Sequence, residues 1–354
     1  MNGSAVPPPG DPLVTIFVAA YNQEEFIADA VRGALTQSYP NVEIILSDDG
    51  SRDRTFEIIK AMAAEYRGPH KVITNQTSEN RGTLAHLYAI ARLSSGALII
   101  AGAGDDVSHP DRVERTVREW QRTAAPCLFS SWDVVDSKGK FLERHTLATD
   151  PQSVRMKTLE TYFRNPRLIG ISGAMASYSR EVFDKIELPE GYILEEDYFL
   201  TLALTYLGGQ IHYFEEQLVS YRRSENSVTH FSGDVDFALY EQKTQRLSRS
   251  RALLLRHFAR NIYGQNVPRF TDTAPPNVDM NRLHGDIAYY DARAEWPSTS
   301  LVKRLRVLTR LDSLDEFRWA VPRIFGTRAL FAFKKGKRRL TRAARRRGEV
   351  QPAS

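Results

Sequence analysis

The chain has 354 residues, of which 42% are hydrophobic and 26% charged, with a formal net charge of +5. This composition excludes wholesale disorder and a collagen-like fibre, and a single cysteine, Cys127, excludes a disulfide scaffold. The length suits roughly two domains. Residues 1–12 are rich in Pro and Gly, with no basic start and no apolar run, so they read as a loose terminus rather than a signal peptide.

The first half alternates strand and helix patterns. Leu13–Val18 is a short β-rich apolar run, and Glu24–Gln37 then sets Phe26, Ile27, Ala30, Val31, Ala34 and Leu35 on one helical face. Val42–Ser47 reads as a buried strand. A helix marked by Phe56, Ile58, Ile59 and Met62 follows, started by Ser51 or Asp53. Lys71–Thr74 is a third strand, Thr83–Leu93 a helix and Ala97–Ala101 a fourth strand. Such alternation predicts an α/β fold with a parallel, doubly wound sheet, whose ligands sit beyond the carboxyl ends of the strands. Further on, Cys127–Trp132, Ala174–Tyr178, Gln210–Phe214 and Leu218–Tyr221 read as short strands. Glu196–Leu207 and Asp234–Phe258 read as helices, and residues 264–279 as a Pro/Asn-rich loop.

Charge divides the chain. From Leu301 to Gly348 there are 16 Lys and Arg against 3 Asp and Glu, whereas residues 1–300 hold 32 basic and 39 acidic residues. Leu301, Val302, Leu305, Leu308 and Leu311 form an apolar stripe beside this basic run. The pattern predicts an amphipathic segment over 301–347 on an anionic membrane surface, with a helical cap as the alternative. No recognition fold accompanies the charge, so nucleic acid is not an expected partner. No run approaches the roughly 20 apolar residues of a membrane helix, and the expected location is the cytoplasm, peripheral on the inner face of the cytoplasmic membrane.

Three acidic motifs can carry chemistry. Asp48 and Asp49 lie in Leu46-Ser-Asp-Asp-Gly-Ser51, where the second strand releases the chain; a plain turn is the alternative. Asp105 and Asp106 end Gly102-Ala-Gly-Asp-Asp106 after the fourth strand, where adjacent carboxylates repel unless a cation or donors neutralise them. Hard oxygen ligands suit Mg2+ or Mn2+; a solvated turn is the alternative. Glu195-Glu196-Asp197 opens a helix, where negative charge is also favoured by the macrodipole.

Taken in order, these motifs resemble a family 2 glycosyltransferase with the GT-A fold. Val18-Ala19-Ala20-Tyr21-Asn22 followed by Glu25 resembles the opening nucleotide-binding segment, and Ser47–Ser51 the uridine-contacting turn. Asn80-Arg81-Gly82 with Ala91 and Gly96 resembles the lead into the metal strand. Gly104-Asp105-Asp106 with Pro110 and Val113 resembles the DxD region. Gly170–Ala174 resembles the acceptor-side strand, Glu196-Asp197 the ED motif, and Tyr221-Arg222 through Asn226-Ser227 the late YR…S segment. Two departures stand out: Ala103 occupies the place of the first aspartate of Asp-x-Asp-Asp, and Ser224 stands where relatives often carry a histidine.

The resemblance implies a Rossmann-like, mostly parallel sheet flanked by helices over 13–232. A helical region over 233–300 and a basic C-terminal extension over 301–354 would follow. It implies an inverting, Mg2+- or Mn2+-dependent transfer of a sugar from a nucleoside diphosphate, UDP being the commonest carrier, to a glycan or lipid-linked acceptor in surface polysaccharide synthesis. Asp197 would be the base, with Glu196 the runner-up, and Asp105 and Asp106 would hold the metal. Ala20, Tyr21, Asn22, Glu25, Asp48, Asp49, Arg81, Gly82 and Asp105 would bind the sugar nucleotide. Tyr21 is a nucleobase platform or a packing aromatic, and Arg81 a phosphate contact or a solvated cation. A non-catalytic sugar-nucleotide-binding or scaffolding protein is the alternative, favoured by Ala103. A nucleotidyltransferase would favour a Gly-rich phosphate loop where this chain reads Ala19-Ala-Tyr-Asn-Gln-Glu24.

Overall fold

A computed structural model of the chain describes residues 7–146, 173–223, 237–272, 274–295 and Val302. The apolar runs of the first half form strands β1 (Val14–Ala20), β2 (Val42–Asp48), β3 (Lys71–Gln76) and β4 (Leu98–Ile100). Between them run helices α1 (Ile27–Leu35), α2 (Thr55–Glu65) and α3 (Thr83–Leu93). The helix expected to start at Ser51 or Asp53 begins at Thr55, whose N–H is accepted by Asp53 Oδ1 at 3.0 Å. There follow β5 (Val107–Ser108), α4 (Arg112–Thr123), β6 (Cys127–Val135) and β7 (Phe141–His145). Then come β8 (Ala176–Ser179), α5 (Arg180–Lys185), α6 (Glu196–Tyr206) and β9 (Ile211–Arg222).

The strands form one nine-stranded sheet in the order β3-β2-β1-β4-β8-β6-β9-β5, with β7 added to β6. β1, β2, β3 and β4 pair in parallel, as does β6 with β9. β8 runs antiparallel between β4 and β6, and β5 antiparallel to β9. The carboxyl ends of β1, β2, β3, β4, β6 and β9 therefore share one edge.

The period-two alternation of a strand places both faces of the sheet under cover. Val14, Ile16, Val18, Ile44 and Leu46 join Ile27, Val31, Ala34, Ile59, Val113, Val117 and Trp120 in one core, beneath α1, α2 and α4. Thr15, Phe17, Ile45 and Ser47 lie on the opposite face and are also buried. There Ser47 Oγ meets His86 of α3 at 2.7 Å. Asn75 Nδ2 donates to the same Oγ, which leaves the serine a lone pair or its proton to share with His86 Nε2.

Two short strands expected at Gln210–Phe214 and Leu218–Tyr221 are one strand, β9. The polar Glu215-Glu216-Gln217 stretch between them is absorbed as a bulge: Ser130 pairs with Phe214 and Ser131 with Gln217. Arg115 and Arg118 of α4 neutralise Glu216.

The chain divides into two compact units, residues 1–230 with 253–279, and residues 231–252 with 280–354. Helix α7 (Phe237–His257) begins in the second unit and ends in the first. The loop 264–279 belongs to the first, where buried Phe270 donates its N–H to the Leu207 carbonyl. In the second unit, Arg251 of α7 stacks over Tyr290 of α8 (Met280–Ala294). Among the described residues no helix is long and apolar enough to cross a membrane. Apart from Val302, the basic tail lies outside the described residues, as do Gly170–Ser172, Ser224, Asn226 and Ser227.

Candidate active site

The carboxyl edge gathers most of the residues singled out in the sequence. β1 ends at buried Ala20, whose carbonyl accepts the Asp49 N–H at 2.8 Å. Tyr21 stands 42% exposed beyond it, open enough for a ring to stack on. Asn22 adopts φ +52°, a left-handed conformation that asparagine tolerates better than most residues. Its N–H goes to Ser51 Oγ and its Oδ1 accepts the Arg52 N–H, which ties the β1 and β2 loops together. Glu25 is exposed on the lead into α1.

Asp48 and Asp49 are both buried. Asp48 accepts Ser51 Oγ, the Ser51 N–H at 3.0 Å and Gln76 Nε2 at 2.9 Å. Asp49 accepts Thr77 Oγ1 and the Arg81 N–H on Oδ1 and the Gly82 N–H on Oδ2, all within 3.1 Å. The pair thus holds the loops after β2 and β3 in place. Arg81 keeps its side chain exposed. Gly82 caps α3 at φ +85°, packed so closely that a Cβ would lie 3.1 Å from Tyr192 and 3.2 Å from the Ile193 carbonyl. The Leu84 N–H donates to that same carbonyl. The Asn80–Gly82 loop thereby braces the segment that leads into α6 and its opening Glu196 and Asp197.

The second acidic cluster follows β4. Asp106 is 5% exposed; its Oδ1 accepts the Arg222 N–H at 2.8 Å. Burial and the neighbouring Asp105 carboxylate push its proton affinity well above the ordinary range, against the pull of Arg112 and Arg222. Asp105 is half-exposed at a deep position. Burial raises its proton affinity too, opposed by its own backbone N–H, by Arg222 and by the Gln23 side chain. Arg222, at the end of β9, donates Nε to the Asp105 carbonyl, Nη1 to the Ser137 carbonyl and Nη2 to Asp29, over the Phe26 ring. Arg112, fully buried at the start of α4, donates to Ser108 Oγ and to the Ala174 carbonyl.

The third cluster meets the second at β8. Next to Ala174, Gly173 lies so close to Glu196 that a Cβ there would sit 2.0 Å from Glu196 Oε1. Desolvation first, then the adjacent Asp197, pushes the Glu196 carboxyl well above its ordinary range. Its proton is therefore held more tightly than that of an ordinary glutamic acid. Asp197 is half-buried in the first turn of α6, where helix geometry favours negative charge.

Among the described residues no three His, Cys, Asp or Glu side chains form a ligand set. Asp105 and Asp106 still fit a divalent cation: two adjacent desolvated carboxylates have an unmet need for positive charge. Mg2+ and Mn2+ commonly take one or two carboxylates and complete their shell from water and phosphate. Arg112 carries no signal in the sequence, because its partners, Ser108 Oγ and the Ala174 carbonyl, leave no motif, whereas Arg222 falls within the late YR…S segment.

Residues 15–187 match the sequence model of Glycosyl transferase family 2. The chain carries a family 2 glycosyltransferase domain. The putative glycosyltransferase EpsE of Bacillus subtilis is 39% identical over 106 residues, covering 30% of this chain and 37% of EpsE. The chain thus spans only about a third of that relative. The putative teichuronic acid biosynthesis glycosyltransferase TuaG of the same organism is 25% identical over 62% of this chain and 82% of its own. In structure, the family 2 domain and its C-terminal helices resemble the mannosyltransferase PcManGT of Pyrobaculum calidifontis, solved with GDP-Man and Mn2+. The TM-score is 0.50 at 15% identity, over 93% of this chain and 87% of that one. The fold is GT-A: a mixed α/β sheet with flanking helices.

Proposed function

We propose that the protein transfers a sugar, with inversion, from a nucleoside diphosphate to an acceptor hydroxyl, and that the acceptor is a lipid-linked glycan of a surface polysaccharide. The supporting observation is the linkage of three acidic clusters along one sheet edge. Asp49 braces Arg81 and Gly82, Gly82 packs against Tyr192 and Ile193 ahead of Asp197, and Gly173 packs against Glu196. Relatives such as TuaG, and the nucleotide-sugar ligand of PcManGT, point to the same class of reaction.

In this reading the nucleoside lies against Tyr21, in the frame that Asn22, Asp48 and Asp49 hold. Asp105, with Asp106 behind it, would hold Mg2+ or Mn2+, which supplies Lewis-acid stabilisation of the departing diphosphate. Asp197 accepts the proton of the attacking hydroxyl, beside the more weakly acidic Glu196. Attack on the face opposite the leaving group turns an α-linked donor into a β-linked product. The basic 301–347 segment rests on the anionic inner face of the membrane, where a lipid-linked acceptor is presented.

The test is release of nucleoside diphosphate from a panel of sugar nucleotides with Mn2+, preceded by thermal shift, since a ligand that binds only the folded form raises its melting temperature. EDTA is expected to abolish release and Mn2+ to restore it. Release that persists undiminished in EDTA sinks the metal role of Asp105 and Asp106. Gly173→Ala is expected to push the Glu196 carboxyl off its seat and slow transfer roughly tenfold, the worth of one hydrogen bond. The flexible end of Glu196 can yield, so unfolding by heat should change little. Wild-type turnover in that variant would show that the seat is irrelevant to catalysis.

A further inference from the structure

β6 carries β9 along one side and two strands along the other. On that second side β8 pairs with its first half, Phe129 facing Ala176, and β7 with its second half, Trp132 facing His145. Three residues, or roughly 10 Å of strand, separate the two pairings. The turn Gly173–Met175 leads into β8 at that gap. Met175 packs with Trp132, Val134 and Val219 in a small core of its own, and Gly173 packs against Glu196.

Side chains directly opposite each other share a face of the sheet. His145 accordingly lies flat on Trp132, with ring centroids 4.0 Å apart and planes within 10°. Trp132 is buried beneath, whereas His145 is exposed. Glu143, opposite Val134, lies on the same face and forms an ion pair with Arg223. Neither ring nitrogen of His145 has a hydrogen-bond partner among the described residues. Desolvation lowers its proton affinity, against the pull of Glu143, and favours the neutral ring, which offers one donor and one acceptor.

The face that continues from Glu196 therefore presents a rigid aromatic plate, a free polar edge and an exposed ion pair. A sugar ring has the matching chemistry: a face of C–H groups, and a rim of hydroxyls that both donate and accept. A hydrocarbon chain on the same surface would leave the ion pair and both nitrogens without partners.

We propose that His145, stacked on Trp132 and flanked by Glu143 and Arg223, is a platform for the glycan part of the acceptor, holding a sugar behind the one whose hydroxyl meets Asp197. This rests on the Asp197 reading above and adds the class of acceptor that this side of the cleft takes: an oligosaccharide, not a lone sugar. The plate is fixed by its own packing, so a sugar laid on it need not order a mobile side chain.

The test is saturation-transfer difference NMR with saturating UDP and Mg2+, on cellobiose, lactose, chitobiose and methyl β-glucoside, with UDP affinity measured by calorimetry on the same protein. At least one disaccharide is expected to bind, and more tightly than the monosaccharide. His145→Ala is expected to weaken that binding about tenfold, the loss of a ring contact and a hydrogen bond together. His145→Phe keeps the plate and loses the polar edge, for a loss of about fivefold. Phe141 is exposed on the same hairpin but pairs with Val135 across a bulge, on the opposite face. Phe141→Ser is therefore expected to change sugar binding by less than about twofold.

UDP binding without any disaccharide binding overturns the platform and leaves the donor-site reading standing. Equal sugar affinity in His145→Ala, or an equal loss in Phe141→Ser, also overturns it. A dimer that sedimentation shows to dissociate in His145→Ala, with no sugar bound, gives this face to a second copy of the chain instead. Wild-type protein that binds neither UDP nor sugar overturns the glycosyltransferase reading and this proposal with it.

Discussion

Asp197→Asn is expected to retain sugar-nucleotide binding and lose 10²- to 10⁴-fold in turnover, the usual worth of a positioned general base. Asn keeps the size and the hydrogen-bonding oxygen of the side chain but cannot take the hydroxyl proton. It also removes a charge that raises the proton affinity of Glu196. Glu196 then becomes easier to ionise, and as the neighbouring carboxylate it offers a weak substitute base. Residual activity with a shifted pH profile is therefore expected in Asp197→Asn, and further loss when Glu196→Gln is added. The measurement is kcat and KM for nucleoside diphosphate release in the single and double variants. Turnover at the wild-type rate in Asp197→Asn would remove Asp197 from the mechanism.

The largest stability effect is expected at Arg112. Its guanidinium is buried, donates to Ser108 and Ala174, and faces the buried Asp106 carboxylate. Arg112→Met leaves the volume filled but strands two acceptors and removes a counter-charge. Breaking a buried pair by removing one partner costs about 3–5 kcal/mol. The raised proton affinity of Asp106 offers partial relief, because the carboxyl can neutralise itself, so the loss is expected to shrink as the pH falls. Arg112 also links the Asp105–Asp106 turn to the start of β8 beside Gly173, so the folded fraction should lose activity as well. Urea unfolding of the variant is the check; a loss below about 1 kcal/mol would mean that Asp106 does not depend on Arg112.

How much of this was legible in the sequence depends on how local the signal is. β1, β2 and α3 follow apolar periodicity confined to neighbouring residues, and α3 runs over Thr83–Leu93 as expected. β7 could not be read, because every one of its residues is exposed and no apolar alternation marks it. β5 is two residues long, too short for any pattern. β9 reads as two short strands in sequence, because a bulge in mid-strand is invisible until its partner β6 is known.

The site follows the same rule. Residue order and type alone placed Asp48, Asp49, Asp105, Asp106, Glu196 and Asp197 at strand or helix ends, within family 2 motifs in the family's order. Those features are local, since each depends on a strand ending and a turn beginning a few residues apart. Tertiary structure alone decided that Asp49 spends its oxygens on the Arg81–Gly82 loop and that Asp106 is shut in with Arg112 and Arg222. Desolvation and hydrogen bonding are set by whichever atoms surround a group, and here those atoms come from segments up to 193 residues away in the chain.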